Sequence, residues 1–141
     1  MATTRTATTH WEGSLLEGAG RVTLESSGLA THEVTWASRA NEPEGRTSPE
    51  ELIAAAHSSC FSMALSSGLA KAGTPPEALD TTAAVTFQPG EGITGIHLTV
   101  RGVVPGLSAE AFAEAAGNAK EGCPVSKALT GTTITLDVAL A

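Results

Sequence analysis

Residues 47–65 run Thr47-Ser48-Pro49-Glu50-Glu51-Leu52-Ile53-Ala54-Ala55-Ala56-His57-Ser58-Ser59-Cys60-Phe61-Ser62-Met63-Ala64-Leu65. They predict one long helix. Ser48 is an N-cap, Pro49 fits the first helical position and Glu51 the third, where its carboxylate faces unpaired backbone N–H groups. The helix is expected to run to about Ala72 and to stop at Gly73, before Pro75 and Pro76. Leu52, Ile53, Ala56, Phe61, Ala64, Leu65 and Leu69 leave it apolar or small on nearly every face, as in a helix surrounded by other elements. The uncharged stretch Leu52–Ala70 is rich in Ala and Ser, is broken by His57 and lacks basic flanks. That composition suits a buried helix of a soluble protein better than a membrane span.

Upstream, residues 40–47 (ANEPEGRT) are a polar loop with Pro43 and Gly45, long enough to arch over something. Residues 31–38 (THEVTWAS) predict a strand with Val34 and Trp36 inward. Residues 19–26 alternate, with Val22 and Leu24 on one face, and residues 6–12 are Thr-rich; both predict strands. Downstream, residues 80–88 and 93–104 are β-rich runs around Pro89-Gly90-Glu91-Gly92, a hairpin signal. Ser108 caps a helix over 109–121, Pro124 starts a short one to Leu129, and 131–140 is a last strand. The order β-β-β-α-β-β-α-α-β segregates hairpin strands from helices, which is an α+β domain. At 141 residues the chain is expected to be a single domain, 1–141.

Composition excludes several classes. With 41% hydrophobic and 16% charged residues the chain is not disordered. A net charge of −7, spread without a basic stripe, points away from nucleic acid and anionic membranes as partners. Met1–Thr9 has no apolar segment of the kind a secretory signal needs, so a cytoplasmic location is the expectation. In that reducing compartment Cys60 and Cys123 are not expected to form a permanent structural disulfide.

Three readings of the cysteines remain open at this level: buried inert thiols, a redox pair that meets only in the fold, or part of a soft metal site. Cys60 lies about three turns into the long helix, beyond the reach of its dipole, and burial alone raises a thiol pKa. A reactive Cys60 therefore needs a cation. Arg39, just after the third strand, is the best placed by connection, and Glu50 or Glu51 could hold its guanidinium in one orientation. Arg39 could equally be a solvated loop residue and the two acids ordinary helix-start residues. His57, one turn before Cys60, is a satisfied core histidine or a base. Cys123, just before Pro124 at a helix start, would meet backbone N–H groups that favour a thiolate. His10, His32 and His97 show no metal-ligand spacing, and no phosphate loop or nucleophile elbow is present.

The helix sequence from Thr47 to Leu65 resembles the signature helix of the osmotically inducible protein C (OsmC) and organic hydroperoxide resistance (Ohr) family. Gly122-Cys123-Pro124-Val125-Ser126 is similar to its second-cysteine motif, and His10-Trp11-Glu12-Gly13 to its first strand. The similarity spans the whole chain and favours the OsmC branch. It implies an intertwined homodimer, in which curved antiparallel sheets wrap central helices, and a thiol peroxidase with sites at the subunit interface. The family's peroxidatic cysteine falls on Cys60, its resolving cysteine on Cys123, its arginine on Arg39 and its glutamate on Glu50. The implied substrate is an organic hydroperoxide, and hydrogen peroxide more weakly. The implied reductant is a dithiol, a dihydrolipoyl protein or a thioredoxin, and no metal or organic cofactor is implied. A non-catalytic dimeric stress or ligand-binding protein with buried thiols is the alternative, and a metal-binding stress protein a third.

Ten residues of helix separate Glu50 from Cys60, about 15 Å of rise, and the two side chains point some 80° apart. No Pro or Gly between them bends the helix. The family chemistry is therefore expected to work in trans, with Glu50 of one chain approaching Cys60 of the other.

Overall fold

The computed structural model describes all residues, Met1–Ala141. The chain forms two compact units, Met1–Leu52 and Ile53–Ala141.

In the first unit, β1 (Thr8–Glu12), β2 (Ala19–Thr23) and β3 (Thr31–Val34) form an antiparallel meander in that order. Gly20 pairs with both Trp11 and Val34. A Cβ there would lie 2.7 Å from the Trp11 ring, so only glycine lets the indole cross the strand. The third strand ends four residues earlier than its sequence suggests. Trp36–Ala40 is instead a short helix, α1, and Arg39 lies on it rather than after a strand. The cause is local: Thr35 Oγ1 accepts from the Ser38 N–H at 3.0 Å, and the Thr35 N–H donates to Ser38 Oγ at 3.0 Å. This reciprocal cap satisfies the helix-start donors that a strand would have needed a neighbour to satisfy.

The chain then doubles back. The Thr47 N–H donates to the Glu33 carbonyl at 2.9 Å, and the Ser38 hydroxyl donates to the Thr47 carbonyl at 2.9 Å. Those bonds return the loop to the end of β3 just before α2 (Pro49–Lys71). Ser48 caps α2 as the sequence predicts, its hydroxyl accepting from the Glu51 N–H at 3.1 Å. The helix ends before Gly73, whose φ of +91° is open to glycine.

In the second unit, β4 (Ala78–Gln88) and β5 (Gly92–Val103) form the expected hairpin, and β6 (Ile134–Leu140) pairs with β5. The β5–β6 pairing is parallel, so the expectation of antiparallel sheets fails here. Between those strands lie α3 (Ala109–Gly122) and α4 (Pro124–Ala128), and a crossover that long can return the chain to its starting direction. The remaining α+β order is as read from the sequence, with α1 added.

The core alternates on β5, where Ile96, Leu98 and Val100 are buried against Phe61, Leu65 and Leu69 of α2 and Phe112, Ala116 and Ala119 of α3. Each fully buried Leu or Phe stabilises by about 1.5–3 kcal/mol. The α2 residues repeat every four positions from His57, giving one buried stripe. Length and apolar composition would also let α2 cross a membrane, but this stripe is buried in protein. The other side of α2 does not meet the expectation of a helix surrounded on all faces. Ala55, Ala56, Ser59, Ser67 and Ala70 are exposed, and Met63 is 71% exposed.

Candidate functional site

Two clusters hold the residues singled out from the sequence. The first lies in the unit Met1–Leu52. Arg39 donates from Nε to both Glu50 oxygens, at 3.0 and 3.1 Å, and from Nη2 to Oε2 at 2.9 Å. This fork fixes the guanidinium plane. The Glu50 side chain is 8% exposed and that of Arg39 31%. The acid that holds the arginine is thus Glu50. Glu51 instead accepts from the Thr47 hydroxyl.

The second cluster lies in the unit Ile53–Ala141. Cys60, on α2, and Cys123, between α3 and α4, place their sulfurs 2.9 Å apart as free thiols. Cys60 is partly exposed and Cys123 fully buried. Burial pushes the Cys60 thiol up from its ordinary value, and neighbouring Cys123 adds to the rise. Burial also works against ionisation of Cys123. The Cys60 thiol, the backbone N–H groups of Ser126 and Val125 and the Ser126 hydroxyl outweigh it and hold Cys123 below the ordinary value. The two sulfurs are close enough that their protons come off as a pair rather than independently. A cation near Cys60 would offset its desolvation and favour the thiolate.

His57 is a core histidine, the first of its two sequence readings, with one ring nitrogen partnered. It is fully buried, with Nε2 2.7 Å from Ser126 Oγ and with Nδ1 unpartnered. Burial lowers its pKa, which keeps the imidazole neutral near pH 7. Ser126 is the residue that sequence reasoning missed. Its signal is its position three residues after Cys123 at a helix start, where a side chain shares the face of the residue one turn back.

No three His, Cys, Asp or Glu side chains converge to hold a metal ion. The exposed His97 lies between Thr135 Oγ1, at 2.5 Å, and Asp137 Oδ2, at 3.0 Å, on the sheet.

Comparisons with known proteins agree with this architecture. Peroxiredoxin OsmC of Escherichia coli (strain K12) is 45% identical over 134 residues, covering 93% of this chain and 92% of that protein. An organic hydroperoxide resistance protein from Elizabethkingia anophelis superposes with a TM-score of 0.71 at 25% identity, covering 100% of both chains. OsmC from Legionella pneumophila gives the same TM-score at 24% identity, over 99% of this chain and 98% of its own. The model of the family described as OsmC-like protein matches residues 41–138, a span that contains the Glu50, Cys60 and Cys123 positions, and the chain belongs to that family.

Proposed function

We propose that this protein is a cysteine peroxidase that reduces organic hydroperoxides. The observation that carries the proposal is the thiol pair: a partly exposed Cys60 with a buried Cys123 at 2.9 Å. A peroxide reaches the exposed sulfur first. The Cys60 thiolate attacks the terminal peroxide oxygen, the O–O bond breaks, and the alkoxide leaves and is protonated to the alcohol. Cys60 becomes a sulfenic acid. The Cys123 sulfur then attacks Cys60, the S–O bond breaks, water departs, and a disulfide joins them. A dithiol reduces that disulfide by exchange and returns both thiols. A dihydrolipoyl protein or a thioredoxin fits this requirement.

The cation that Cys60 needs comes, in this proposal, from Arg39 held by Glu50. Its fixed guanidinium stabilises the thiolate and the charge developing on the leaving oxygen. The unbroken run of α2 from Pro49 to Lys71 supports action in trans. The active form is thus a homodimer in which a second copy covers the exposed side of α2 around Ala56, Ser59 and Met63. The sequence leads one to expect apolar walls for the substrate from Phe61, Met63 and leucines, and Phe61 is not among them because it lies in the core. The apolar walls come from the exposed α2 residues and suit an alkyl or aryl group better than water. The names of the Escherichia coli and Elizabethkingia relatives support a peroxidase acting on organic hydroperoxides.

The test is a thiol titration before and after one equivalent of cumene hydroperoxide per chain. Loss of two thiols, with Cys60 and Cys123 recovered as one disulfide-linked peptide pair, supports the proposal. Two thiols surviving the peroxide would show an inert pair and a non-catalytic protein.

A further inference from the structure

The second unit contains a buried polar contact that the peroxidase reaction, as set out above, does not use. His57 precedes Cys60 by three residues on α2, and Ser126 follows Cys123 by three on the first turn of α4. The four side chains form two adjacent rungs between the same segments. One rung is the sulfur pair at 2.9 Å, and the other is His57 Nε2 with Ser126 Oγ at 2.7 Å.

Around α4, Leu129 packs partly against the core, but few side chains of the segment are fully buried. Across residues 121–130 only Cys123 and Ser126 are buried, and Pro124, Lys127 and Ala128 are exposed. Apolar burial alone does not fix where this segment lies along α2. A hydrogen bond between two buried groups does, because its geometry is directional and its loss leaves polar atoms dry.

We propose that His57 and Ser126 are positioning residues for disulfide formation, their buried hydrogen bond holding the Cys123 sulfur within bonding range of Cys60. This rests on the proposed roles of Cys60 and Cys123 as the reacting pair. In the step concerned, the Cys123 sulfur displaces hydroxide from the Cys60 sulfenic acid. The S–S bond forms, the S–O bond breaks, and the Cys123 proton leaves with the hydroxide as water. His57 exchanges no proton in this account. Its low pKa keeps it neutral, and the Nε2–H tautomer donates to Ser126, whose own hydrogen is then free to point toward the Cys123 sulfur. In that tautomer the unpartnered Nδ1 is a bare acceptor rather than a stranded donor.

The experiment separates the two chemical steps in single-turnover mixing with cumene hydroperoxide. Loss of the Cys60 thiol reports the first step, and appearance of the disulfide, or decay of a dimedone-trappable sulfenic acid, reports the second. Ser126→Ala and His57→Ala are expected to keep the first rate within about twofold and to slow the second roughly tenfold or more, as misplacement of a reacting group does. His57→Gln restores a neutral amide near the Nε2 position and is expected to recover most of the second rate. Should His57→Ala fail to fold, Ser126→Ala and His57→Gln, which change little volume, decide the matter. Wild-type disulfide formation in Ser126→Ala, or equal slowing of both steps, would overturn the inference. So would a folded His57→Gln protein slowed as much as Ser126→Ala, which would make His57 a proton carrier. If wild-type Cys60 itself never oxidises, the peroxidase proposal fails instead, and the two failures are told apart by the first step.

Discussion

Cys60 and Cys123 lie 63 positions apart in sequence, yet their sulfurs are within hydrogen-bond distance at 2.9 Å. One is partly exposed and the other fully buried, so in the proposed reaction the oxidant meets Cys60 and the bond closes inward at Cys123. Cys60→Ser is expected to abolish hydroperoxide consumption. Cys123→Ser is expected to give one turnover and a sulfenic acid at Cys60 that dimedone traps. Mass spectrometry of the alkylated chain checks both. A Cys123→Ser protein that cycles at full rate with a dithiol would remove Cys123 from the resolving role.

The pH dependence of Cys60 alkylation follows from its surroundings. Desolvation raises the Cys60 pKa, and the hydrogen bond and charge of Cys123 raise it further. Removing Cys123 deletes the second contribution and leaves the first. In Cys123→Ser the midpoint for iodoacetamide labelling of Cys60 is therefore expected at lower pH than in the wild type. Arg39→Ala removes a proposed stabiliser of the thiolate and is expected to move the midpoint the other way, to higher pH. An unchanged profile in Arg39→Ala would take Arg39 out of the site and point to Arg21 or Arg101. Glu50 is buried beside the guanidinium, so Arg39→Ala also leaves that carboxylate without its partner and is expected to lower stability. Thermal unfolding of each variant separates that loss from the change in thiol reactivity.

The trans arrangement is tested by mixing inactive subunits. One chain carries Cys60→Ser and the other Glu50→Ala. If Glu50 acts across the dimer, the Glu50→Ala chain keeps its Cys60 and receives Glu50 from its partner, so each heterodimer has one intact site. Recovered activity in the mixture is the expected result. A mixture as inactive as either parent would place Glu50 and Cys60 of one chain in one site.

The core offers a prediction independent of the chemistry. Gly102 on β5 faces the Phe112 ring so closely that a Cβ would lie 2.7 Å from Cε1. Gly102→Ala is expected to destabilise the fold by about 1–3 kcal/mol through overpacking. Adding Phe112→Leu should recover part of that loss. Urea unfolding of the single and double variants measures both, and an undisturbed single variant would contradict the packing described.

Much of this was legible locally. Ser48, Pro49 and Glu51 mark the start of α2, and Pro89-Gly90 with Gly92 marks the hairpin. The α1 helix was not, because Thr31–Ser38 carries β-formers and a five-residue helix shows no period. Its reciprocal cap uses Ser38 in place of the acid or amide expected three residues after a cap. The parallel pairing of β5 and β6 was hidden as well, since local alternation does not say which way a distant neighbour runs. At the site, residue type and connection left Arg39 open to Glu50, to Glu51 or to solvent, and only the family resemblance singled out Glu50; the fork settles on Glu50. The His57–Ser126 contact was not anticipated, because 69 residues separate the partners and a serine carries little signal of its own.

The central claim is that Cys60 is a peroxidatic thiol suited to organic hydroperoxides. The most direct measurement is the second-order rate of Cys60 oxidation in the reduced protein, by stopped flow, with cumene hydroperoxide and with hydrogen peroxide under identical conditions. Faster reaction with cumene hydroperoxide, by about tenfold or more, is expected from apolar contacts made only by the organic substrate. Equal rates no higher than those of an ordinary exposed thiol of the same pKa would contradict the claim.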